Sequence, residues 1–130
     1  MLEPISPNPE SDAKLAYSQG MVVRGETRTL YISGQVAADA AGQVAPDFEG
    51  QVRQVWTNLI GVLSAANMKV TDLIKVTAFL TDTKDFPAYV KLRAEFLSGH
   101  KPTSTLLVVS ALARPEWKIE VEAVAVSTSG

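Results

Sequence analysis

Two glutamates, Glu120 and Glu122, interrupt the apolar run at residues 117–126, where they alternate with Ile119, Val121, Ala123 and Ala125. Strict alternation marks a strand, and its period of two places both carboxylates on one face and the small apolar residues on the other. On a solvated face such carboxylates are ordinary surface charges. In a cleft that a second surface partly desolvates, one of them can take and return a proton near neutral pH. Little else in the chain is reactive. There is no cysteine, which removes thiolate nucleophiles, disulfides and thiolate metal sites. The single histidine, His100, leaves no histidine cluster for a metal, and its place at the end of a predicted helix suits the negative helix terminus. Ser33 and Ser64 lack the G-x-S-x-G turn that exposes a nucleophilic serine. No metal site is expected.

The elements that must position these groups follow from periodicity. "YSQGMVV" and "RTLYISGQV" read as two strands joined by the turn-like "RGET", a predicted hairpin. Phe48, Val52, Val55, Leu59, Leu63 and Ala66 recur at spacings of three and four, the stripe of a helix that Asp47 can cap. "DLIKVTAFLTD" is a strand with Ile74, Val76, Ala78 and Leu80 on one side and a wetter face opposite. In "DFPAYVKLRAEFLSGH", Asp85 is the predicted cap of a second helix with Pro87 in its first turn. Phe86, Tyr89, Val90, Arg93, Phe96 and Leu97 form its inner stripe, and Gly99 ends it. "STLLVVSAL" and "WKIEVEAVAV" are strands that "ARPE" would return antiparallel. Pro4, Pro7 and Pro9 suit an extended N-terminal arm over residues 1–14 in place of a helix.

The order of two strands, helix, strand, helix and two strands describes two helices on one mixed sheet, a two-layer α+β domain. A chain of 130 residues is the size of one such domain. One strand is apolar on both sides, with Leu106 and Val108 opposite Leu107 and Val109. The chain has no further helix to cover the second side, so self-association with sheet packed on sheet is expected.

A formal net charge of -2, with basic residues scattered along the chain, disfavours nucleic acid as a partner. The start "MLEPISPNPESDAK" has no signal-peptide pattern and no apolar run approaches a bilayer span, so no membrane partner and a cytoplasmic location are expected.

Three stretches occur in order: "AYSQG" followed by "LYISGQV", "IKVTAFLTDTKDFPAYVKLRAEFL", and "KPTSTLLVVSALARPEWKIEVEAVA", which ends in an I-E-[IV]-E-A strand. Together they resemble the YjgF/YER057c/UK114 proteins, the reactive intermediate (Rid) imine deaminases. The resemblance implies a chorismate-mutase-like subunit, a mixed six-stranded sheet with two helices on one face. It also implies a homotrimer with a central β-barrel and a small-molecule cleft at each subunit interface. The implied activity is hydrolysis of enamines and imines to 2-oxo acids and ammonia, with no cofactor.

Carried over residue by residue, the resemblance makes Glu120 the group that positions or activates water and Tyr17 a hydroxyl in the cleft. Gly34 becomes a close-approach glycine in the ligand wall. The departure is at Ser104 in "PTST", where deaminating members carry an arginine that forks onto the substrate carboxylate. Ser104 and Thr105 offer only hydroxyls there, with Phe86 or Trp117 as an apolar wall. Arg114 in "LARPEW" is the first candidate for a replacement cation, ahead of Arg28, Lys75 and Arg93. The expectation is therefore a Rid-type hydrolase with an atypical or differently anchored substrate. The alternative is a non-catalytic, small-molecule-binding or chaperone-like trimer of the same fold.

Overall fold

Residues 1–128, which the computed structural model describes, run in the order β1 (Leu2–Ile5), α1 (Pro9–Asp12), β2 (Gly20–Val23), β3 (Arg28–Gln35), α2 (Phe48–Ala65), β4 (Leu73–Leu80), α3 (Phe86–Leu97), β5 (Thr103–Val108) and β6 (Ile119–Ser127). The architecture is α+β, with a four-stranded mixed sheet of order β3-β6-β4-β5.

α2 forms where its apolar stripe predicts. Asp47 caps it by accepting from Gly50 N at 3.2 Å, and Val52, Val55, Trp56, Leu59 and Leu63 are buried. Gln51 is buried among them and ties the helix to its surroundings: Nε2 donates to the carbonyls of Ala45 and Glu116, and Oε1 accepts from Lys118 N. α3 buries Tyr89, Leu92, Arg93 and Leu97 and ends at Ser98 and Gly99, whose φ angles of 48° and 89° are left-handed. Asp85 does not cap this helix. Its own backbone is helical, and the capping contact falls earlier, where Asp82 accepts from Lys84 N at the head of a 3₁₀ turn. Phe86 also departs from the inner stripe, being 47% exposed, because it opens a helix that begins beyond the end of β4.

β4 and β5 are parallel, joined through α3 as a parallel crossover requires. β6 lies antiparallel to both β3 and β4. The expected C-terminal hairpin is therefore absent: β5 and β6 are not neighbours, and residues 109–118 carry the chain past β4 to the central slot. Burial explains the placement. Ile119, Val121, Ala123 and Ala125 are all buried, and a strand with that much apolar surface gains most at the centre of the sheet.

The N-terminal segment differs more. β2 pairs antiparallel with β1, not with β3, in the register Leu2↔Val23 to Ile5↔Gly20, and Pro9–Asp12 forms a helical turn with Pro9 at its start. The extended arm at 1–14 is thus a strand and a turn, and the implied six-stranded sheet is divided into four strands and two. Strand propensity and "RGET" mark a strand boundary there without selecting the partner. Among the described residues no helix is long and apolar enough to cross a membrane.

Candidate functional site

The open face of the sheet, away from the helices, carries Glu120 and Glu122 at the positions where β6 pairs with Phe79 and Thr77 of β4. Between Ile32 and Gln35 the register of β3 against β6 shifts, so Ser33 and Gly34 form a bulge. The bulge lays the bare Cα of Gly34 against the Glu120 side chain. A Cβ there would fall 2.8 Å from Glu120 Cδ and nearer still to Oε2, so only glycine leaves the carboxylate its place. Glu120 and Glu122 also border a depression of about 330 Å³ whose other walls are Phe79, Val109, Leu112 and two alanines. A half-buried carboxylate on an apolar floor, held at one side by a glycine, is suited to accept a proton from water.

Tyr17 and Ser104 lie elsewhere. Tyr17 is half-buried and lines a cavity of about 220 Å³ with Pro9, Gln19 and Lys101. The next residue, Ser18, ties this segment to the start of β5 by donating from N to Pro102 O at 3.0 Å and from its hydroxyl to Lys101 O. The Tyr17 and Glu120 cavities share no lining residue. Ser104 pairs with Val76 on the helix side of the sheet, where its Oγ accepts from Arg93 Nη1 at 3.0 Å. Thr105 points the other way and accepts from Lys75 Nζ on the open face. The two hydroxyls therefore serve opposite faces.

Phe86 is exposed at the head of α3. Arg114 sits in a solvated loop with its side chain 68% exposed, 4.0 Å from Glu116 and over the Trp117 ring at 5.8 Å. Within one chain the cation that meets Ser104 is Arg93. A charged residue on the inner stripe of α3 was the signal for it, since a guanidinium held against a sheet needs a polar reason to be there.

His100 is occupied: its Nε2 meets Leu73 O at 2.7 Å, and because a carbonyl only accepts, that nitrogen carries the hydrogen. Among the described residues no group of three or more His, Asp or Glu side chains could hold a metal ion.

The profile of the family described as Endoribonuclease L-PSP matches residues 8–127. The chain belongs to this family, the Rid or YjgF group. It is 34% identical over 113 residues to the 2-iminobutanoate/2-iminopropanoate deaminase of Rattus norvegicus, covering 85% of this chain and 80% of the rat protein. A Rid-family protein of unknown function from Yersinia pestis superposes with a TM-score of 0.83 at 30% identity, covering 95% of this chain and 97% of that one. The YjgF gene product of E. coli superposes with a TM-score of 0.70 at 33% identity, over 85% and 87% of the two chains. The α+β architecture is thus that of the Rid family.

Proposed function

We propose that this Rid-family chain hydrolyses a reactive imine or enamine in a cleft between two copies of itself. The observation that carries the reading is the Glu120 carboxylate held against Gly34 on the open sheet face, in a cavity separate from that of Tyr17. Two half-sites on one chain make a whole site when a second copy brings Tyr17 and Ser104 of one subunit to Glu120 of its neighbour. A homotrimer with sheet faces turned inward meets that requirement and covers the open face, and the cytoplasm is its proposed setting. The relatives named as 2-iminobutanoate/2-iminopropanoate deaminases supply the substrate chemistry.

Glu120 accepts a proton from water as the oxygen attacks the imine carbon and returns it to the imine nitrogen, giving a carbinolamine. The carbinolamine's hydroxyl proton then passes to nitrogen, the C–N bond breaks, and ammonia leaves a carbonyl compound. Atoms balance with water alone, so the chemistry calls for no cofactor. RNA cleavage, which the family's descriptive name suggests, fits poorly with a net charge of -2 and with a single histidine engaged on Leu73 O. Because Ser104 offers one neutral hydrogen bond, we propose that the substrate is anchored differently from the family pattern.

The test is release of ammonia and 2-oxo acid from freshly generated 2-iminobutanoate by the native protein, Glu120→Gln and Ser104→Arg. Native turnover that falls about 10²- to 10⁴-fold in Glu120→Gln supports the assignment. Inactivity restored by Ser104→Arg keeps the hydrolytic machinery and changes the substrate. Inactivity of all three overturns the enzyme reading in favour of a binding trimer, the reading that the serine at 104 favours.

A further inference from the structure

Arg93 is 7% exposed, yet among the described residues no carboxylate lies within ion-pair distance of it. Among the described residues its interactions are one hydrogen bond, to Ser104 Oγ, and a stacking contact with the Tyr89 ring 5.6 Å away. A guanidinium has five N–H donors and strongly prefers a planar anion that takes two of them at once. Burying that charge with one hydroxyl and one ring leaves most of its desolvation uncompensated. The side chain also borders a cavity of about 280 Å³ whose lining includes Lys14, Leu15, Leu97, His100 and Lys101 and no carboxylate. The residue before Tyr17, Ala16, is in the same wall. A buried, unneutralised guanidinium bordering a cavity also lined by Lys14 and by Lys101, whose Nζ donates to Ala13 O, suits an anion. Its fork and the apolar walls of Leu15 and Leu97 favour the carboxylate of a small organic acid.

We propose that Arg93, reaching from α3 to Ser104, is the carboxylate anchor of this protein. The inference rests on the hydrolytic reading above and deepens it. The arginine absent at 104 is supplied across the strand-helix interface, with Ser104 holding one Nη in place and the remaining donors turned to the ligand. Tyr17 follows Ala16 of this wall in the chain, and Glu120 would arrive from the neighbouring subunit.

Binding of the unreactive carboxylate 2-oxobutanoate, measured by calorimetry against the neutral 2-oxobutanamide, tests the anchor apart from turnover. The native protein should bind the acid and not the amide. Arg93→Lys, which keeps the charge but loses the fork, and Arg93→Gln should each weaken acid binding by about 10- to 100-fold. Arg93→Gln combined with Ser104→Arg should recover it. In the native protein the Arg93 Nε–H resonance should shift on adding 2-oxobutanoate, a readout that needs no variant to fold. Acid binding unchanged in Arg93→Gln, no native binding at millimolar acid, or an Arg93 resonance indifferent to the ligand overturns the anchor. The two failures are distinguishable. Arg93-dependent binding without imine turnover keeps the anchor and sinks the hydrolase; turnover without Arg93 dependence does the reverse.

Discussion

Glu120 and Gly34 were both legible as single residues, but their contact was not. Gly34 follows Ser33 in a strand whose pattern shows no bulge, and the register shift is what turns its Cα toward the carboxylate. Gly34→Ala is therefore expected to displace Glu120 and cut imine turnover at least tenfold. Thermal unfolding should move by less than the cost of a core truncation, because the added methyl collides with a movable side chain and not with backbone. Tyr89 shows how burial acts on a different group. Burial is the main cause that pushes its phenol up to about 12, with the charge of Arg93 opposing. The Trp56 indole opposes as well, although among the described residues neither its Nε1 nor the phenol oxygen has a hydrogen-bond partner. An unfolded tyrosine ionises near pH 10, so the unfolded state loses its proton first. Stability is then unaffected below about pH 10 and declines by roughly 1.4 kcal/mol per pH unit up to about pH 12. Urea unfolding at pH 8 and pH 11 should show a smaller decline for Tyr89→Phe than for the native protein. At pH 8 the variant should be no less stable, since it removes a buried hydroxyl without a partner.

The helices were the most readable elements. Apolar spacing located α2 and α3 and Asp47 was correctly the cap of α2, because both signals are local to a few turns. The strands were readable as strands but not as neighbours. Nothing in "WKIEVEAVAV" states that β6 enters between β3 and β4; that choice is made by the burial its small residues gain there. Gln51 is the polar link that holds this arrangement to α2, joining the helix to Ala45, Glu116 and Lys118. Gln51→Leu leaves two carbonyls and one N–H without these partners, and at about 1 kcal/mol or more for each a loss of about 3 kcal/mol is expected in denaturant unfolding. Asp47→Ala should cost about 1 kcal/mol by the same measurement.

On the scale of the whole molecule, the sheet has one face under helices and one face open, with Tyr31 78% exposed and Leu107 42% exposed. Tyr31 lies on β3, the strand that carries the bulge, where it pairs with Val124 of β6. If the open faces meet in a trimer, sedimentation equilibrium gives three times the chain mass. Tyr31→Asp should then shift the population toward monomer and lower turnover with it, because the proposed site draws on two copies. A native protein of one chain mass would remove the interfacial site.

By itself, the sequence determined that two helices lie on a mixed sheet, that Glu120 and Glu122 share a face, that thiolate chemistry is absent, and that the expected arginine at 104 is a serine. These are matters of residue type and short-range period, and short-range period survives without knowledge of partners. Tertiary structure alone decided strand order, the bulge at Gly34, the division of Ser104 and Thr105 between opposite faces, and the meeting of Arg93 with Ser104. Each of those is a contact between segments far apart in the chain. It is selected by which apolar surfaces are buried together, a quantity that no local pattern contains.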